Sequence, residues 1–225
     1  MEGRDSILKK RKRKKFKLFF MLFVLFCALA MFQNYFQHQS SPDLVKTDPF
    51  ADVKKYRPLI HDELAKYNLE SHTTVLIALM QQESRGRGGD PMQASESVGL
   101  ARNTITDPQK SIQVGVKHFQ RVLTYGNQKK VDFETIIQSY NMGIGYINYI
   151  AKHGGKHSEA LAKEFSLQQV KEKPTIYTCG GNKDNFRYPY CYGDFTYSTK
   201  VTKNIQLLAD TVPVTGNEKT TSGSF

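Results

Sequence analysis

From residue 49 onward, apolar side chains recur at helical rather than alternating spacing. The sharpest case is Thr73-Thr74-Val75-Leu76-Ile77-Ala78-Leu79-Met80-Gln81-Gln82-Glu83-Ser84, where Leu76, Leu79, Met80 and Glu83 fall at i, i+3, i+4 and i+7. That spacing predicts a helix that carries a carboxylate on its core-facing stripe. Upstream, Asp48-Pro49 reads as a helix start leading into a pattern that runs to about Asn68, kinked or divided at Pro58. Downstream, Thr106-Asp107-Pro108 opens a helix with the stripe Ile112, Val116, Phe119 and Leu123, ended by Gly126. Asp132 then caps a segment with Phe133, Ile136, Ile137 and Tyr140 at helical spacing, interrupted by Gly143 and Gly145. Short helices are expected from Tyr146 to Ala151 and from Glu159 to Phe165, and a last one from about Asp194 with Tyr197, Val201, Ile205 and Leu208.

The pattern therefore predicts one all-α domain of five to eight helices over residues 49–210. Residues 37–48 read as a polar linker, and 211–225, rich in Thr, Ser and Gly, as a disordered tail. Residues 170–193 break the periodicity: Pro, Gly and Asn stand among Tyr177, Phe186, Tyr188, Tyr190 and Tyr192, as in an ordered loop or short strands. Those aromatics either stack on sugar rings or pack a loop that lacks regular structure. Cys179 and Cys191 flank most of the segment and are either two free thiols or one disulfide.

A different apolar pattern lies near the N-terminus, where Leu18 to Phe32 is unbroken and extends to Phe36 if Gln33 and Asn34 are tolerated. Its 15 residues are short for a span of ~20, but the aromatic flank Phe32, Tyr35 and Phe36 suits an interface. The run reads as a single transmembrane helix over 18–36, with a cleaved signal peptide as the alternative because Ala28-Leu29-Ala30 has the small-x-small form.

Charge decides the orientation. Nine Lys or Arg in residues 1–17, offset by Glu2 and Asp5, hold +7 of the formal +11, leaving 23 basic against 19 acidic residues elsewhere. The tail is thus expected in the cytoplasm and the domain outside the cell. A near-balanced domain removes the main support for nucleic-acid binding. No spacing points to a metal: His153 and His157 are separated by Gly154 and Gly155, which oppose a rigid ligand pair, and no cofactor is expected.

Glu83 is the candidate for chemistry. Burial disfavours a charged carboxylate and raises its pKa, as a general acid near neutral pH requires; a salt-bridged residue at a helix end is the plain alternative. In order along the chain stand Glu83-Ser84, then Gly88-Gly89-Asp90-Pro91-Met92-Gln93-Ala94-Ser95-Glu96-Ser97 with Gly99, then Ser139-Tyr140-Asn141-Met142-Gly143.

Over roughly residues 50–210 these motifs together resemble the lysozyme-like muramidase domain of membrane-anchored or secreted bacterial cell-wall hydrolases. Those of conjugative transposons are included, and soluble lytic transglycosylases and goose-type lysozymes are more distant. The resemblance implies cleavage of the β-1,4 bond between N-acetylmuramic acid and N-acetylglucosamine in peptidoglycan, with Glu83 as the acid. It also implies a glycan cleft formed by Ser84, Met92, Gln93, Ser95, Tyr140 and Asn141, and a setting at the membrane beside a secretion or conjugation apparatus. Many such relatives carry a second hydrolase domain; only a polar tail follows Leu208 here, so glycan cleavage alone is expected.

An inverting hydrolase also needs a base on the opposite face of the sugar. Glu96 and Asp90 are the candidates, with Glu96 the better placed and Asp90 reading as a turn residue before Pro91. Without either, the substrate's N-acetyl group assists Glu83, the product is an anhydro sugar, and the enzyme is a lytic transglycosylase. A binder that has lost catalysis is the non-enzymatic alternative.

Overall fold

The computed structural model describes Met21, Leu25, Phe26, 28–33 and 48–210, in two units divided between Asp48 and Pro49. In the first unit the described residues up to 33 are helical, with Leu25, Phe26, Met31 and Phe32 exposed. Among the described residues, no helix is long and apolar enough to cross a membrane. The other residues of the expected 18–36 span, the basic tail 1–17, most of the linker 37–48 and the tail 211–225 lie outside the described residues.

Among its described residues the second unit holds eight α-helices, three short 3-10 turns and no strand. Helices α1 (Ala51–Lys54) and α2 (Arg57–Ala65) are separated where Pro58 takes a first-turn position, the place where a missing N–H costs nothing. Helix α3 (Thr73–Glu83) is the central rod. Leu76, Ile77, Ala78, Leu79 and Met80 are all fully buried, so this helix is covered on nearly every side until its polar end. Each large side chain so buried contributes roughly 1.5–3 kcal/mol.

Helix α4 (Pro108–Lys129) is capped by Asp107, whose side chain accepts from the Gln109 amide. It runs past Gly126, which does not end it. Gly126 is buried where a Cβ would collide with Ile136, so it is the contact that lets helix α5 (Phe133–Met142) approach; the helix stops at Lys130, in the left-handed region at φ 56°. Asp132 caps α5 as expected and also accepts from the His157 amide, tying the α6–α7 connection to the same carboxylate.

Gly143, at φ 73° and ψ 175°, both ends α5 and starts α6 (Ile144–Lys152), a backbone geometry open essentially to glycine alone. Gly145 lies inside α6 and does not interrupt it. Helix α7 (Glu159–Glu172) continues two turns beyond Phe165, with Ser166 buried and Leu167 and Val170 partly buried. Helix α8 (Tyr197–Asp210) packs along α3 and α5, with Tyr197, Val201 and Leu208 buried.

Cys179 and Cys191 form a disulfide across the aromatic segment, which contains the 3-10 turn Cys179–Gly181. Its aromatics divide between two tasks. Tyr190 and Phe186 pack edge-on around Phe195, and Tyr192 packs on Phe165. Tyr177 and Tyr192, their rings 4.8 Å apart, face the cleft described next.

Candidate active site

Glu83 closes α3 where the apolar helix meets solvent, on the floor of a cleft of about 550 Å³. Its Oε1 accepts a 2.6 Å hydrogen bond from the hydroxyl of Tyr197, which is buried at the start of α8. Loss of hydration raises the Glu83 pKa to about 7; the Tyr197 bond and the charge of Arg102 pull it down, while Asp90 and Glu96 push it up. Burial wins. Tyr197 is itself raised well above the usual phenol range by burial first and by Glu83 second, so it stays protonated and donates.

The loop after α3 is built around Asp90, which is 3% exposed. One carboxylate oxygen accepts from the Ala94 amide and the Ser111 hydroxyl, the other from the amide and hydroxyl of Ser95. Burial alone would raise its pKa, but the Ser111 and Ser95 hydroxyls and the two amides outweigh that and hold it below the usual value. Asp90 opens the turn expected before Pro91, its carbonyl accepting from the Gln93 amide, and its buried carboxylate also anchors the loop, with both oxygens already occupied.

Ser84 serves the same loop: its hydroxyl donates to the Pro91 carbonyl at 2.7 Å and accepts from the amides of Gly86 and Arg87. Above this anchor the chain turns through Gln93, a non-glycine residue at φ 46°. Gln93 donates to Asn103 and accepts from Arg102, which places a guanidinium beside Glu83. Glu96, in the 3-10 turn Ser95–Val98, is exposed and lines the same cleft.

Helix α5 supplies the facing wall. Tyr140 is buried and donates to the Met92 carbonyl at 3.2 Å. His118 of α4 stacks edge-on against it at 4.8 Å, donates from Nε2 to the Tyr140 carbonyl and accepts at Nδ1 from Arg121. Burial lowers the His118 pKa, in keeping with a neutral ring of that tautomer. Asn141 accepts at Oδ1 from the Asp194 amide at 2.7 Å, and Arg187 holds the Gly193 carbonyl, so α5 and the disulfide-closed segment share one edge of the cleft.

Of the residues singled out in the sequence, Glu83, Glu96, Gln93, Tyr140 and Asn141 meet at this cleft. The side chains of Met92 and Ser95 do not line it: Met92 is fully buried in the core and Ser95 is bound to Asp90, while Ser84 braces the loop from below. Sequence reading missed three participants. Tyr197 looked like a core stripe residue, and Arg102 and His118 carried no motif. Among the described residues, no group of His, Cys, Asp and Glu is arranged to hold a metal ion.

A buried carboxyl whose pKa is raised and which is oriented by a phenol, with a second carboxylate lining the same open polar cleft, is equipped for acid-catalysed cleavage of an acetal bond. Residues 50–205 match the Lysozyme-like family, and the chain belongs to it. It is 48% identical over 189 residues to the uncharacterized membrane protein YocA of Bacillus subtilis (strain 168), covering 84% of each chain. It is also 40% identical over 119 residues to the bifunctional muramidase/DL-endopeptidase CwlT of the same organism, a match that takes in 53% of this chain and 35% of CwlT. Among solved structures, a Staphylococcus aureus (subsp. aureus Mu50) protein described as similar to a lipoprotein of the NLP/P60 family superposes with a TM-score of 0.60. It is 36% identical, with 74% of this chain and 56% of that one covered.

Proposed function

We propose that this protein is a peptidoglycan N-acetylmuramidase that cleaves the β-1,4 bond between N-acetylmuramic acid and N-acetylglucosamine, with Glu83 as general acid. The observation that carries this reading is the Glu83 carboxyl, raised to about 7 by burial while Tyr197 fixes one of its oxygens. With Oε1 bound, Oε2 is the oxygen that delivers the proton to the glycosidic oxygen as the bond breaks. The sugar passes through an oxocarbenium-like state. Glu96, an exposed residue of the same cleft lining, takes the proton of the attacking water. Asn141 offers its amide to the sugar, while Gln93, whose amide is engaged by the Asp90 carbonyl, Asn103 and Arg102, holds Arg102 at the cleft, and Tyr140 braces the wall against Met92. Membership of the lysozyme-like family and the likeness to CwlT, named as a muramidase, support the chemistry.

The basic N-terminal tail and the apolar run behind it, with the likeness to YocA, named as a membrane protein, support tethering at the outer face of the cell membrane. The test is digestion of purified peptidoglycan by the full chain in detergent, with mass analysis of the fragments. Reducing ends are expected. Anhydro ends would reassign the reaction to lytic transglycosylation, and intact glycan would leave a binding protein.

A further inference from the structure

Beside the cleft lies a second groove of about 620 Å³ that shares Ser97 and His118 with it. One wall is a single face of α4: Lys110, Val114, Lys117 and Arg121 fall at i, i+4, i+7 and i+11. The lining also brings Glu63 from α2 and Lys66 just beyond its end, and exposed Val98. Glu63 is the acid of the lining, and Lys66 binds it at 2.5 Å. Among the described residues, neither Lys110 nor Lys117 stands in an ion pair, and both are exposed. The lining thus carries four cations, Lys66, Lys110, Lys117 and Arg121, against one acid, Glu63, next to the candidate active site.

We propose that this groove binds the acidic stem peptide borne by the muramic acid residue of a glycan strand seated in the cleft. The inference rests on the muramidase reading. Neutral sugars gain nothing from a cationic wall, and the carboxylates of the strand are on its peptides. The groove opens across Ser97 and His118, so an anion tethered to the bound sugar reaches Lys110 and Lys117 at high effective concentration. A free polyanion has no such advantage. Val98 and Val114 give the peptide's apolar side chains a surface between the cations.

The experiment is titration of the full chain in detergent with three probes: glycan oligomers that keep their stem peptides, the same oligomers stripped by an amidase, and a glycerol-phosphate oligomer. Peptide-bearing oligomers are expected to bind about fivefold more tightly than stripped ones. The double substitution Lys110→Gln/Lys117→Gln should bring that ratio near one, while Lys110→Arg/Lys117→Arg keeps it. Equal binding of both oligomers by the unmodified chain, or a preference untouched by the Gln pair, overturns the proposal. Tighter binding of the phosphate oligomer than of the peptide-bearing glycan also overturns it, and assigns the groove to a phosphate polymer. Cleavage of stripped glycan is followed in parallel: no products with the preference intact would sink the muramidase reading and leave the groove, and products without preference would do the reverse.

Discussion

Tyr197 and Glu83 are 114 residues apart in sequence and 2.6 Å apart in the fold. The bond joins the last residue of α3 to the first of α8, so the packing of these two helices sets the orientation of the acid. Because Tyr197 donates, it favours the charged form of Glu83 and limits how far burial raises the pKa.

Tyr197→Phe removes that donor and little volume. The basic limb of the pH–rate profile, set by Glu83 near 7, should move to higher pH, and kcat should fall about tenfold with KM little changed. A purely structural tyrosine would lower stability without moving the limb, so the profile itself is the measurement.

Glu83→Gln should reduce cleavage by at least about 10²-fold, the range of positioned acid catalysis, with the fold retained. It should also stabilise the protein at high pH. Between about pH 4.5 and 7 the folded chain keeps a proton that the unfolded chain releases, so wild-type stability falls as pH rises through that window. The neutral amide escapes this loss. Thermal melts should show the variant more stable by about 3 kcal/mol at pH 8 and equal to wild type at pH 4.

The helix that carries Glu83, the Asp132 cap and the Gly143 break are legible in the sequence because each has a local cause: spacing, a capping side chain, a residue without Cβ. Gly126 misleads for the same reason. Its role is contact with Ile136 across helices, which no local pattern distinguishes from a helix stop. Asp90 and Tyr197 follow that logic too. One is a turn residue and the other a core residue, as their local patterns say, but their further tasks exist only once Ser111 and Glu83 are brought to them from distant elements. The candidate acid could be read along the chain, whereas the groups that tune and orient it are products of packing.

Asp90→Asn should destabilise the fold by about 2–4 kcal/mol at pH 7. Each carboxylate oxygen accepts a backbone N–H, from Ala94 and from Ser95, so either orientation of an amide sets a donor against a donor. The depressed Asp90 pKa means that the wild-type advantage is present above the ordinary value of 3.8 and is lost as pH falls through the lower folded value. Denaturant titrations at pH 7 and pH 3 should show the difference shrinking at the acid end.

Glu96→Gln should remove most hydrolysis, with partial recovery of turnover in azide, which needs no base. Wild-type-like hydrolysis in this variant would end the role of Glu96 as the water-activating group.

The Asn141 amide has one further consequence. Its oxygen already accepts from the Asp194 N–H, which leaves the NH2 group, a donor, as the amide's main offer to a sugar. An acetamido carbonyl matches that donor, whereas the ammonium left by de-N-acetylation would meet it as a second donor beside Arg102 and Arg187. A cell that strips acetyl groups from its glycan would hold a wall resistant to this enzyme, and comparison of digestion rates on acetylated and deacetylated peptidoglycan would measure that immunity.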